Sequence, residues 1–405
     1  MTQIFRMAWR DLGRNRRRSF FSALAVGLGL ALLLFLAAFI QGEMKTSIDT
    51  SIRLMSGHLQ VRANTYDEVK TSLKWADLVE NPQQIADQIA AMAPVKLASP
   101  RLYASGIVAV GDETAGVRVM GIDPNSQASL PYKDGLLVGE WLAADDREGL
   151  LLGKALTDKL GLKVGDPVNL SVNTSNGEVA NQNFTLRGIF STKTYAFDSA
   201  NALLPLAKAQ AITQAENHAS TIFILLKDMN QVDAVAPALQ SSQLKVLTWK
   251  KMNELLLQLE QLANSYMVFF YLIVLGISAT VVINTLIMSV FERTREIGIL
   301  TAIGMRSRRI MGMFLAESSL LAVGGIVMGL ILAVIFIGIL AQVGFPVGQM
   351  KVTGFIFSDR IYPVLTLKDT VNLSLMALII TLLAGLYPAW LASHMEPVEA
   401  LRGGK

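Results

Sequence analysis

The sequence predicts an α-helical membrane protein with four transmembrane helices and a large α+β extracytoplasmic domain inserted between helices 1 and 2. Three observations predict it. Four runs lack acidic and basic side chains over lengths that suit a bilayer, which takes about 20 apolar residues: 20–40, 261–291, a run within 310–350 interrupted only by Glu317, and 370–395. A long segment of mixed charge, 42–260, separates the first two runs and holds 20 Lys/Arg and 24 Asp/Glu. Arginines crowd into the short segments beside span ends. The totals agree: hydrophobic residues make up 52% and charged residues 17%, against roughly 25% charged in ordinary globular chains. There is no cysteine, which excludes disulfides, thiol catalysis, cysteine-bound metals and a lipidated N-terminal cysteine.

Residues 1–18 open the chain as an interfacial, cytoplasmic amphipathic helix. Ile4, Phe5, Ala8, Trp9 and Leu12 recur at helical spacing, with Arg6, Arg10 and Arg14 on another face. Trp9 and the run Arg16, Arg17, Arg18 are the membrane-interface group. Residues 19–41 form the first span, too long in its apolar core for a cleaved signal peptide. Arginines before it, and Arg293, Arg295, Arg306, Arg308 and Arg309 between the second and third spans, place both termini and that link in the cytoplasm by the positive-inside rule. Residues 42–260 then lie on the other side of the membrane.

Within 42–260 the expected architecture is a split α/β part, about 56–100 and 218–249, with a β-rich part inserted at about 101–217. Strand character recurs at 57–63, 101–110, 117–122, 168–172, 184–190, 221–226 and 244–249. A helix at 81–92 reads as opened by an Asn81 cap and a first-turn proline, and a weaker one at 229–240 contains Pro237. Flanking this domain, Ile48 and Ile52 continue one helical face and Leu255 and Leu259 another. The two faces suit a packed stalk, or else two amphipathic helices lying on the domain. The charge-free second span, 261–291, is roughly 46 Å long at 1.5 Å per residue, beyond the ~30 Å hydrocarbon core. The third span takes 310–342, an extracytoplasmic loop 343–368, the fourth span 369–393 and a cytoplasmic tail 394–405. Gly324, Gly325 and Gly329 suit close helix contact, and Glu317 sits near enough the cytoplasmic end for a nearby arginine to assist it.

No enzyme chemistry assembles. His58, His218 and His394 are far apart, no H-E-x-x-H or G-x-S-x-G pattern occurs, and Gly153-Lys154 lacks the spacing and the Ser/Thr of a phosphate-binding loop. The chain therefore binds no cofactor of its own, and nothing in it points to nucleic acid. The informative stretch is 292–309. Ile297, Leu300 and Ile303 share a helical face, Gly304 can end the helix, and Glu292, Arg293, Arg295 and Glu296 surround it. An apolar knob with orienting charges suits docking to a soluble partner; a charged re-entrant turn fits the same residues.

Four segments carry a family resemblance. "ERTREIGILTAIGMRSRRIMGMFLAESSLLAVGG" (292–325) resembles the FtsX-like permease domain of MacB-type ABC transporters. "AWRDLGRNRRRSFFSALAVGLGLAL" (8–32), "LLLGKALTDKLGLKVGDPVNL" (150–170) and "YPAWLASHMEPVEALR" (387–402) resemble the family's opening, a common segment of its outer domain and its closing signature. The resemblance implies a permease subunit working as a dimer, with a second copy or a paralogue, in membrane lipid. It further implies two copies of a separate ATPase that bind ATP and Mg, with Glu292–Gly304 as the coupling helix and mechanotransmission as the mechanism. "MSGHLQVRANTYDE" (55–68) and the absence of a nucleotide-binding motif in 405 residues resemble the lipoprotein-releasing branch, which implies a lipoprotein substrate and a periplasmic carrier. A MacB-like exporter of peptides, toxins or antibiotics with a periplasmic adaptor, and an FtsX-like signalling scaffold regulating cell-wall hydrolases, are the alternatives.

Overall fold

The computed structural model describes residues 2–68, 70–346 and 360–395, with side chains from Arg6 onward. The side chains of Ile4 and Phe5, residues 347–359 of the 343–368 loop and the tail beyond residue 395 lie outside the described residues. The chain divides into two units: 1–44 with 259–345 and 361–405, and 45–258 with 346–360.

The first unit is helical. After an amphipathic helix, Thr2–Arg14, come four helices long and apolar enough to cross a membrane: Arg16–Ser51, which runs on to Ser56 through a π-helical turn, Glu254–Glu292, Ser307–Val343 and Leu367–Ser393. The 39-residue second helix is about 58 Å long, so it exceeds a hydrocarbon core at any modest tilt. Without a hydrophobic drive between helices in lipid, contact depends on small residues. Gly27 of the first span meets Gly325 and Gly329 of the third, where an added Cβ at Gly27 would stand 2.9 Å from the Gly325 carbonyl oxygen. Gly324 has no such neighbour, its nearest being Ala23 at 3.9 Å. Leu30, Leu33, Leu34, Leu275, Ala333 and Leu373 fill the space among the four.

The second unit is α+β. Strands Leu244–Thr248, Leu59–Ala63, Thr221–Leu226 and the first half of Val95–Val110 form one antiparallel sheet, with Leu59 opposite both Thr248 and Ile224. Helices Pro82–Ala90 and Val232–Leu239, the latter retaining Pro237, share its core with Val61, Ile222 and Ile224. The second half of Val95–Val110 leaves this sheet and joins another. There Val95–Val110, Glu113–Ile122, Asn201–Pro205, Gly149–Gly153, Val179–Phe190 and Pro167–Asn173 pair in turn, and the last returns to the first. Six strands thus close on themselves, removing the exposed edges an open sheet would present. Val108, Val117, Val119, Leu150, Leu170, Phe184 and Leu204 lie in the core of this part.

The seven segments with strand character are all strands. Strands outside those segments include Leu136–Gly139, Gly149–Gly153 and Asn201–Pro205. Asn81 stands at the N-cap position and its carbonyl accepts from the Ile85 amide at 3.3 Å, but it is left-handed at φ 50° and its side chain makes no capping bond, its oxygen accepting instead from Asn217 Nδ2 at 2.5 Å. Pro82 takes the first helical position, as expected.

Candidate functional site

The stretch 292–309 folds as a short helix, Thr294–Ala302, between the second and third spans. Gly304 at φ +90° ends it, a left-handed position that a Cβ would strain. The apolar face expected from Ile297, Leu300 and Ile303 does not hold together. Ile297 is 1% exposed and packs inward with Val290, Ile310, Met313, Phe314 and Ala389. Ile303 is 74% exposed, Ile299 is 48% exposed and Leu300 is half-buried. The outward apolar face is therefore Ile299, Leu300 and Ile303, while Ile297 anchors the helix to its own protein.

The charges divide in the same way. Arg293, expected as an outward charge, is 6% exposed. Its guanidinium reaches Asp11 at 2.8 Å, Glu296 at 3.1 Å and Glu317 at 3.9 Å, and lies over the Phe314 ring. Glu296 also accepts from Arg14 at 2.9 Å, and Glu292 accepts from Arg18 at 2.8 Å and from Asn15 at 3.1 Å. Burial opposes ionisation of Glu296, but hydrogen bonds from Arg14 and Arg293 outweigh it and hold the carboxyl below its ordinary value. The bond from Arg14, with the carboxylate's charge, raises Arg14 above its ordinary value. Of the four charged residues assigned to docking, only Arg295 stays exposed without a described ion pair.

These bonds strap the N-terminal segment to the linking helix. Ala8 is fully buried, and Leu12 packs against Val26, Val282, Leu286 and Leu321. Trp9 is 71% exposed, and Arg16 and Arg17 are exposed, as an interface group requires. Arg18 differs from them in being half-buried and paired with Glu292.

In the second unit, Ile52 is buried, Ile48 half-buried and Leu255 exposed; Leu259, in the first unit, is half-buried. The join between residues 51–56 and 253 is polar instead of an isoleucine–leucine seam. Ser51 donates to Asn253 Oδ1 at 2.6 Å, and Asn253 Nδ2 donates to the Trp249 carbonyl at 2.8 Å. The π-helical turn Ile52–Ser56 is held by a residue that the sequence did not single out. Arg101 is 1% exposed and faces no described carboxylate. It donates to the Leu54 carbonyl at 2.7 Å and the Ala128 carbonyl at 3.2 Å, and stacks 3.7 Å over Phe223. The Tyr132 hydroxyl donates to the same Leu54 oxygen, and burial pushes that phenol up to about 12.

His58 has a structural part. Its Nδ1 accepts from the Leu226 amide at 2.9 Å, and burial, then Lys96, lowers its affinity for protons. Among the described residues, no group of three or more His, Cys, Asp or Glu side chains is placed to hold a metal ion.

Four spans, an α+β domain between the first two and a strapped helix between the second and third define a class, the polytopic membrane proteins with one large inserted domain. The comparisons name the family. Residues 19–242 match the MacB-like periplasmic core domain and residues 268–397 the FtsX-like permease C-terminal domain, and the chain belongs to this family of ABC transporter permeases. Its relatives include the lipoprotein-releasing system transmembrane protein LolE of Haemophilus influenzae, 24% identical over 94% of this chain and 93% of that protein. LolC of Neisseria meningitidis is 23% identical over 75% and 77% respectively. The macrolide export ATP-binding/permease protein MacB of Bdellovibrio bacteriovorus is 24% identical over 99% of this chain and 62% of that protein.

Proposed function

We propose that this chain is the permease subunit of a lipoprotein-releasing transporter that turns ATP hydrolysis by a separate ATPase into movement of its inserted domain. The observation that carries the reading is the nearly end-to-end correspondence with LolE, over 94% of this chain and 93% of that protein. Arginines beside the first, second and third spans support cytoplasmic termini and a cytoplasmic linking helix, with the inserted domain in the periplasm. The ATPase then seats against Ile299, Leu300 and Ile303 with Arg295 beside them. Movement at the linking helix reaches the second and third spans directly, since it joins them, and the first span through the Arg14, Arg18 and Arg293 ion pairs. Work is done on the periplasmic side, and cargo need not cross the membrane through this subunit.

The test is reconstitution of the chain with its ATPase and any paralogous permease in vesicles loaded with a triacylated lipoprotein. ATP should release that lipoprotein to a soluble periplasmic carrier, and a lipid-free variant of the same protein should not be processed. ATP-driven efflux of a macrolide or peptide with no lipoprotein release would sink the proposal and favour the export reading that the MacB likeness supports.

A further inference from the structure

We infer that the inserted domain carries a binding site for a monoanionic amphiphile, an alkyl chain with one negative head group, in the cleft beside residues 51–56. The inference goes beyond the proposed function, because it does not depend on which cargo the transporter moves.

A cavity of about 220 Å³ is lined by Met55, Gln60, Arg62, Arg118, Met252 and Leu255, among others. A second, of about 800 Å³, shares Met55, Glu68 and Arg118 with it. Together they reach the size of small-molecule sites, which are mostly apolar with a few placed polar groups. The lining divides by chemistry. One side is apolar and adaptable: Met55, Met252, Leu255 and Leu256, with Leu255 63% exposed. Methionines at such a lip suit a flexible hydrocarbon chain.

The other side is polar and locked. Gln60 is 2% exposed and Arg62 4% exposed. Gln60 Nε2 donates to the Met55 carbonyl at 2.7 Å, while its Oε1 accepts from Arg62 at 2.6 and 2.9 Å and from Thr221 at 3.2 Å. Arg62 is neutralised by Glu68 at 2.8 Å. The remaining charge in the lining is Arg118. It is half-buried, its guanidinium sits 5.9 Å from the Tyr103 ring centre, and no described carboxylate pairs with it. Arg62 and Glu68 cancel, so the cleft carries one uncompensated positive charge in partly desolvated surroundings beside an apolar lip. One anionic head on an alkyl chain matches both features, with the guanidinium as the donor fork. A carboxylate and a phosphate diester share this chemistry, so a fatty acid and a phospholipid are both possible sources.

The experiment uses the full chain in phosphatidylcholine nanodiscs and three photoreactive probes with the same diazirine-bearing alkyl chain, ending in a carboxylate, a methyl phosphate diester or an alcohol. Labelled residues are mapped by peptide mass spectrometry. At least one anionic probe should label Met55, Met252 or Leu255 saturably and about tenfold or more above the alcohol, as expected for a charge-assisted contact. Arg118→Gln should abolish that preference and Arg118→Lys should retain much of it. Preference for the carboxylate points to a fatty acid, and preference for the diester to a phospholipid. The inference is overturned if the alcohol labels these residues as strongly, if the cleft is not labelled, or if Arg118→Gln keeps the preference. Should Arg118→Gln not fold, the comparison of anionic and neutral probes on the unaltered chain decides alone.

Discussion

Arg293 and Arg101 are both buried, and each solves the burial problem differently. Arg293, beside the linking helix, is surrounded by carboxylates from three separate parts of the chain: Asp11, Glu296 and Glu317. Arg101, in the inserted domain, has the neutral carbonyls of Leu54 and Ala128 and the rings of Phe223 and Tyr132. A buried charge costs several kcal/mol unless it is paired or fully hydrogen-bonded. The first arrangement makes three segments depend on one cation. The second attaches a helix end to a sheet without creating any second charge. Removing either arginine therefore leaves different debris.

The largest effect should come from Arg293→Ala. It takes the cation away from Glu317, 5% exposed, and from half-buried Asp11, at a cost of roughly 3–5 kcal/mol. Thermal unfolding in detergent should register the loss, and Arg293→Ala with Glu317→Gln should recover part of it. If the single variant melts like the unaltered chain, the three-segment junction is not holding the fold.

Arg101→Met should cost less, roughly 1–3 kcal/mol, because only neutral acceptors lose a donor and Tyr132 still donates to Leu54. Proteolysis near residues 52–56 should rise while the rest of the inserted domain stays resistant. A loss as large as that of Arg293→Ala would erase the distinction between the two sites.

The smallest effect concerns pH and the Arg14–Glu296 pair. Both side chains are about half exposed, so the pair contributes little at neutral pH. Glu296 lies below its ordinary value in the folded chain. Its contribution is therefore fully present above that ordinary value, near 4.5, and is lost as pH falls through the lower folded value. Arg14→Gln should lower the melting temperature slightly at pH 7, and the difference should shrink below about pH 4.5. A difference that grows on acidification would mean that the pair does not hold Glu296 ionised.

The same contrast governs what could be read in the sequence. The spans were legible because a charge-free apolar run of about 20 residues suits a bilayer and little else. The strands at 221–226 and 244–249 were legible from their β-branched and aliphatic content. Gly149–Gly153 and Asn201–Pro205 were not, because each is a five-residue, fully buried run without alternation, and nothing local separates such a run from a helix fragment. Arg293 looked like one more positive-inside charge. The signal that marks it is the pair of misplaced acids, Asp11 in a basic helix and Glu317 in an apolar span, each in need of a cation. Ile297 and Ile299 defeat periodicity in a nine-residue helix, since both faces carry isoleucine and only the surrounding spans decide which face is inside.

The linking helix has an inner face fixed by Ile297 and Arg293 and an outer face, Ile299, Leu300 and Ile303, the latter being where we propose that the ATPase docks. Co-purification of the ATPase with Ile303→Asp and Ile297→Asp variants, alongside their melting temperatures, tests it most directly. Ile303→Asp should melt normally and lose its ATPase by about two orders of magnitude in affinity, whereas Ile297→Asp should itself be destabilised by several kcal/mol. This assignment of faces would be contradicted by an Ile303→Asp variant that retains its ATPase, or by an Ile297→Asp variant that is stable and fails only in docking.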